Sequence, residues 1–296
     1  MPELPEVETV RRGLAGVLPD MTVTAIEVSS PKSFPNDQKL VSRHVLGASI
    51  QAVRRRAKIL LIDLNTDFSL AVHLKMTGQL VFRGIDGTRF GAGHPNDSLI
   101  GDLPDRSTRV VVTLDRGVLF FNDQRKFGWI RLVSTNNLET STPLNTFGPE
   151  PLEPSFTFQV FKQQLYKRPS SSIKVVLLDQ TTIAGIGNIY TDESLFAAKI
   201  HPLTKVKDIS QPKLRTLYRE LLAVLRLSIE KGGASDRNYV DAHGRKGSFT
   251  TFARVYKRKG EPCKRCGTPI ERVVVAGRGT HLCPHCQRLV KPRAKK

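Results

Sequence analysis

Much of the chain runs in short blocks of β-branched and aromatic residues. VTAIEVSS, SIQAVRRRAKILLIDL, SLAVHLKMTGQLVFR, TRVVVTLDRGVLFFND and GWIRLV are rich in Val, Ile, Leu and Phe and are set apart by Gly, Asn and Asp, the pattern of strands punctuated by turns. Asp115-Arg116 followed by Gly117 predicts a hairpin turn. Gly84 to Ser107, rich in Gly, Asp and Pro, predicts a long loop. Ahead of these blocks, Val7, Val10, Leu14 and Val17 recur at helical spacing behind Pro5, which suits a first helical position. Residues 1–134 are therefore expected to form an antiparallel β-sandwich opened by a helix. The polar, turn-forming stretch 135–155 is expected to be a linker.

The period then becomes helical. Phe158, Phe161 and Leu165, followed by Ile173, Val176 and Leu177, predict two helices broken at Pro169. Ser210 is placed to cap a longer helix whose Leu214, Leu217, Leu221, Val224 and Ile229 form one stripe, with Gly232 and Gly233 to end it. Residues 156–250 are thus expected to be a helical domain. With the 251–296 segment, the fold class is α+β multidomain.

Composition narrows the class of partner. The 296 residues are 39% hydrophobic, enough for packed cores and against global disorder. The formal charge is +19, which calls for a polyanionic partner. Nucleic acid and an anionic membrane surface are the candidates. No basic amphipathic helix of the membrane-binding kind stands out, so nucleic acid is favoured. No apolar run reaches the roughly 18 residues of a membrane span, and the chain is expected in the cytosol. From Lys257 onward, twelve Lys and Arg stand against Glu261 and Glu271, so this short segment holds a large share of the excess.

That basic segment also holds all four cysteines, as Cys263-x2-Cys266 and Cys283-x2-Cys286. Two close pairs of thiolates make a closed tetrahedral shell, the pattern of one structural zinc ion in a zinc ribbon. Two disulfides are the alternative, disfavoured in a reducing cytosol. ERVVV and THLC read as strands around AGRG, which puts Arg278 at a hairpin tip. His281 and His285 read as ordinary surface histidines.

The opening MPELPEVETV crowds three glutamates into the start of a basic chain. Glu6 and Glu8 suit the positive end of a helix dipole, which leaves Pro2 and Glu3 without an account. If Met1 is removed, Pro2 presents a secondary amine. With a pKa of about 7.7–8, a minority of it is unprotonated at neutral pH. Such an amine can attack an electrophilic carbon and form an iminium, as a lysine forms a Schiff base. Glu3 could supply or take the proton. Many chains also begin Met-Pro with no such chemistry.

MPELPEVETV, RRAKILL, HLKMTGQL, NDQRKFGW, TFGPEPL, AGIGNIYTDESLF and GRGTHLCPHC, in this order from residue 1 to 288, resemble the bacterial formamidopyrimidine-DNA glycosylases. The resemblance implies excision of oxidised purines such as 8-oxoguanine and formamidopyrimidines, then strand cleavage by β- and δ-elimination. It also implies double-stranded DNA with oxidised purines or abasic sites as partner, a monomer, and a nucleoid-associated place in the bacterial cytoplasm. By resemblance Pro2 is the nucleophile at the sugar C1′, and Glu3 protonates the opening ring. Lys58 is the proton donor in β-elimination, and Arg278 is the finger arginine of δ-elimination and phosphate clamping. Glu6 lies near the damaged base. Met76, Arg125 and Phe127 fill the void left by the extruded nucleotide. His73, Arg168, Lys174 and Asn188 contact DNA, with Asn188 in the turn of a helix–two-turn–helix motif. Read without the resemblance, Lys58 is a cation at a strand end, Met76 a core residue, Phe127 a strand aromatic and GIGN a helix-stop turn. Endonuclease VIII-type enzymes, which prefer oxidised pyrimidines, differ in the opening and in the intercalating residues. A zinc-ribbon DNA-binding protein without activity would leave Pro2 and Glu3 idle.

One departure stands out. Where relatives carry a Lys-His pair before the strand, this chain has DLPDRSTRV, with Arg106 and Ser107 at the pair. Either Arg106 takes over the lost histidine's phosphate contact or His94 folds back from the long loop. Arg106 is favoured, being adjacent and a strong phosphate ligand.

Overall fold

The computed structural model describes residues 2–94, 96–138, 144–234 and 249–289. It divides into two compact units, Met1–Asn145 with Ile229–Phe249, and Thr146–Ser228 with Thr250–Lys296. Met1, Pro95 and the basic end from residue 290 lie outside the described residues.

The first unit opens with α1 (Leu4–Ala15), whose N-cap is Glu3. The Glu3 side chain takes the backbone N–H of Glu6, and the Glu6 side chain takes that of Glu3, a reciprocal cap that satisfies two orphan donors. Leu4, Val7, Val10 and Leu14 are fully buried along one face. The strands follow: β1 (Val23–Val28), then a short α2 (Gln38–His44) that the apolar pattern does not predict, then β2 (Ile50–Arg56), β3 (Ile59–Leu64), β4 (Phe68–His73), β5 (Gly78–Gly84), β6 (Arg89–Gly93), β7 (Thr108–Leu114), β8 (Gly117–Asp123) and β9 (Trp129–Ser134). They form two antiparallel sheets, β1-β7-β8-β5-β6 and β2-β3-β4-β9, the expected sandwich. Its core runs through Val23, Ile50, Ile62, Leu70, Val72, Leu80, Phe82, Val110, Val112 and Phe121. Helix α1 packs against β2 and β6. The approach to β6 is close: a Cβ on Gly13 would lie 1.9 Å from the Phe90 ring.

The stretch from Gly84 to Ser107 departs from the expected loop, since it contains β6 and a 3-10 turn at Asp97–Leu99. Leu99 packs with Val81 and Phe120, and Leu103 joins them. Asp105 fastens the end of the segment, accepting from Ser107 N at 2.7 Å and Ser98 Oγ at 2.5 Å. Burial works against its carboxylate, but the hydrogen bonds from Ser98, Ser107 and Thr108 outweigh that and hold its pKa below the ordinary value. A few apolar residues among many Gly and Asp are enough to fix this segment.

The second unit contains α3 (Phe158–Tyr166), α4 (Ile173–Leu178), α5 (Asn188–Ala197) and most of α6 (Gln211–Glu230). Gly232 and Gly233 follow α6 with φ of 73° and 90°, as a helix stop requires. A one-turn α7 (Phe249–Phe252) leads to the hairpin β10 (Glu271–Val275) and β11 (Arg278–Leu282). Residues 146–155 already belong to this unit: Gly148 N donates to Gln180 O at 2.9 Å, and Ala184 N donates to Pro149 O at 3.1 Å. Helix α5 is unusual in burying Thr191, Asp192, Glu193 and Ser194 together. Buried polar groups must find partners, and Glu193 takes the backbone N–H groups of Arg254, Val255 and Tyr256 at 2.8–2.9 Å. Its burial pushes its pKa up, against those three donors.

Candidate functional site

Pro2 and Glu3 are both buried at the start of α1, Glu3 being 4% exposed. Glu6 is buried beside them and divides its carboxylate. Oε2 accepts Glu3 N at 2.8 Å, and Oε1 accepts Ala234 N at 2.7 Å. Gly233 allows that second contact, because even a Cβ there would stand 3.0 Å from Glu6 Oε1, on a backbone with φ of 90°. The sequence pattern assigns Gly233 only to a helix end. Glu8, which reads as a dipole partner, is bonded by Arg11, Arg12 and Arg55. Although it is desolvated, these guanidinium groups lower its pKa.

Lys58 lies in the two-residue turn between β2 and β3, behind Ala57 at φ of 53°, and is 7% exposed. His73 ends β4 opposite Ile59. Its Nδ1 accepts Lys75 N at 3.0 Å, so in the neutral ring the proton sits on Nε2. Burial, then the charges of Lys75 and Lys58, push its pKa down to about 3. His73 is therefore neutral in working conditions and shares its surroundings with Lys58.

Met76, Arg125 and Phe127 are brought to one end of the β5–β8 pair, whose register places Gly78 opposite Asp123. Met76 is 37% exposed and Phe127 55%, so neither is core. The Arg125 guanidinium sits 4.9 Å from the centre of the Phe127 ring. At the same end, Arg106 is exposed while Ser107 is buried, with its carbonyl accepting Asp123 N at 2.8 Å. His94 is half-buried. Its backbone N–H donates to Gly78 O at 3.0 Å, and burial lowers the pKa of its ring.

In the second unit, Arg168 donates to Asp179 Oδ2 at 2.6 Å and remains partly exposed. Lys174, expected to reach a phosphate, is fully buried, and its Nζ lies 2.5 Å from Asp192 Oδ1. A charge enclosed and neutralised in this way holds helices together rather than meeting solvent. Asn188 is the first residue of α5, and its Nδ2 donates to Gly279 O at 2.9 Å. One turn on, Asp192 Oδ2 accepts His281 N at 2.8 Å. Helix α5 thus grips two alternate residues of β11, the strand that Arg278 begins. Arg278 is exposed and follows the tight turn at Ala276 and Gly277. The reading of His281 as a surface residue is corrected. It is 7% exposed and packs edge-on against Tyr256, because its strand is drawn onto α5. His285 is exposed.

The four cysteine sulfurs lie within 4.8 Å of one another. Cys266 Sγ is 3.5 Å from both Cys283 Sγ and Cys286 Sγ, close to the roughly 3.8 Å edge of a tetrahedron with 2.3 Å metal–sulfur bonds. Arg265 N and Cys286 N point at Cys263 Sγ and Cys283 Sγ from 3.4 Å. The donor set fits a metal ion.

Three family models cover this architecture in order: the formamidopyrimidine-DNA glycosylase N-terminal domain over residues 1–130, its H2TH domain over 147–239, and a zinc finger found in FPG and IleRS over 260–289. They define the class as a three-module DNA glycosylase. The formamidopyrimidine-DNA glycosylase of Herpetosiphon aurantiacus is 43% identical over 97% of this chain and all of its own. That of Bacillus subtilis is 38% identical over 97% of this chain and 99% of its own. Among solved structures, a Lactococcus lactis Fpg with DNA containing an abasic site superposes with a TM-score of 0.85 at 34% identity, covering 97% of this chain and 99% of that one. A complex of the same enzyme with DNA containing an oxidised pyrimidine gives 0.84 at 33%, covering 97% and 100%. The chain belongs to the formamidopyrimidine-DNA glycosylase family.

Proposed function

We propose that this protein is a bifunctional DNA glycosylase and abasic-site lyase that removes oxidised purines from double-stranded DNA. The observation that carries the reading is Glu3, buried directly behind Pro2 at the head of α1, in a chain alike to the family from end to end. With Met1 removed, the Pro2 nitrogen bonds to C1′ and gives up its N–H proton as the base leaves with the glycosidic electron pair and takes up a proton. The C1′–O4′ bond opens to an iminium while Glu3 delivers a proton to O4′. In β-elimination a C2′ proton passes to water as the C3′–O bond breaks, and Lys58 donates a proton to the departing 3′ phosphate. δ-Elimination then expels the 5′ phosphate, which Arg278 clamps. Glu6 stands by the extruded base, and Met76, Arg125 and Phe127 occupy the vacated stack. Arg106, Arg168 and Asn188 hold phosphates, and neutral His73 keeps the strand end beside Lys58 in place. Lys174 serves inside the helical unit.

The metal of the four cysteines is one zinc ion in a structural role that stiffens the Arg278 hairpin. The lactococcal complex with an oxidised pyrimidine favours a second, lesser substrate class for this chain. The test is a single-turnover reaction on a duplex with one 8-oxoguanine, run beside oxidised-pyrimidine and undamaged duplexes. Excision with a gap ended by phosphates supports the reading. Intact 8-oxoguanine strands at saturating protein would contradict it.

A further inference from the structure

Two loops of the first unit share a feature. In each, a lysine holds a left-handed backbone immediately before an exposed apolar side chain: Lys75 (φ 50°) before Met76, and Lys126 (φ 57°) before Phe127. Lysine disfavours that conformation, and it persists only where the surroundings impose it. The hydrogen bonds identify what imposes it. Asp123, the last residue of β8, is fully buried. Its Oδ1 accepts Thr77 Oγ1 from the first loop and Arg125 N, at 3.2 Å, from the second. Its Oδ2 accepts Gly128 N at 2.6 Å. Thr77 Oγ1 in turn accepts Arg125 N at 3.1 Å. From outside the loops, Arg109 Nε donates to the Asp123 carbonyl at 2.7 Å, while His73 Nδ1 takes Lys75 N. One carboxylate therefore closes the second loop and ties it to the first.

We propose that Thr77 and Asp123 are positioning residues, a clip that makes Met76, Arg125 and Phe127 one preassembled wedge rather than two independent loops. The inference rests on the glycosylase reading above, and concerns how that activity separates a base from its stack. Entering a duplex costs unstacking. Two separate loops would also have to be ordered at that moment, and the clip removes the second cost. Neither residue needs to touch DNA.

Thr77→Val tests this, because it keeps the shape, deletes the bridging hydroxyl, and leaves Asp123 its bonds to Arg125 and Gly128. Single-turnover excision of 8-oxoguanine opposite cytosine is expected to slow about tenfold. Cleavage of a preformed abasic site, where no base has to be evicted, is expected to stay within about twofold. Thr77→Ser restores the hydroxyl and is expected to recover excision. Entry of the wedge is read independently of excision by the fluorescence rise of 2-aminopurine next to the lesion, which should slow to the same degree. Wild-type rates of both rise and excision in Thr77→Val would overturn the clip. So would equal losses on lesion and abasic duplexes, since that is the mark of a merely structural residue. If the unaltered protein raises the fluorescence but excises nothing, the glycosylase reading fails while the fluorescence comparison still decides the clip.

Discussion

Replacing Lys174 by methionine separates two roles for a lysine that the family resemblance puts on the DNA. Its Nζ and the Asp192 carboxylate are 2.5 Å apart, with neither side chain exposed. At that distance and an effective dielectric constant of ~20, the attraction is about 7 kcal/mol, and most of it is offset by the desolvation of both charges. Removing one partner exposes the other's penalty, typically about 3–5 kcal/mol. The lower end applies here, because His281 N still donates to Asp192. Adding Asp192→Asn removes the orphaned charge while keeping an acceptor for His281, so the double variant should regain most of the loss. The assay is urea unfolding followed by hydrogen exchange in α4 and α5, with DNA binding titrated in parallel at several salt concentrations. A phosphate-binding lysine makes the log–log salt slope shallower by about one when removed; an internal one leaves it unchanged. Stability within about 0.5 kcal/mol of wild type, together with a shallower slope, would refute the internal ion pair.

Three further outcomes are expected. Glu3→Gln, which keeps shape but cannot deliver a carboxylic proton, should reduce 8-oxoguanine excision by roughly 10²-fold or more and affect cleavage of a preformed abasic site less; equal losses on both would contradict the role of Glu3. Cys266→Ser should lose the metal, measured by atomic absorption, and weaken DNA binding while the sandwich stays folded; metal-free wild-type protein would end that reading. His73 has its pKa lowered from 6.5 to about 3, so between those values the unfolded chain binds a proton that the folded one refuses. Stability contributed by this group is then whole above pH 6.5 and lost as pH falls, by about 2 kcal/mol at pH 5; urea midpoints at pH 7 and 5 should show a smaller drop in His73→Gln.

The strands and helices were legible where one face is apolar: the paired blocks of the sandwich, the stripe of α6 and the α3–α4 break all follow from periodicity. So was the cysteine cluster, because ligand spacing is local. The segment 84–107 was not, since Leu99 and Leu103 are too few among Gly and Asp to set a period, yet they meet Val81 and Phe120 across the sheet. The buried polar hubs were also illegible. Asp123, Asp192 and Glu193 have the composition of surface residues, and only their distant partners make them internal. Asp123 stands inside the segment NDQRKFGW without any local sign that it ties two loops together. His281 misleads for the same reason, because the helix that buries it lies about ninety residues earlier in the chain.

The proposed chemistry rests on the amine of Pro2. It is tested by borohydride reduction of the protein with a duplex carrying one abasic site, followed by proteolysis and mass spectrometry of the trapped species. A covalent adduct is expected on the amino-terminal peptide, with the sugar remnant on the Pro2 nitrogen, and no adduct when Met1 is retained or Pro2 is acetylated. An adduct on a lysine, or undiminished trapping by the Met1-retaining form, would contradict it.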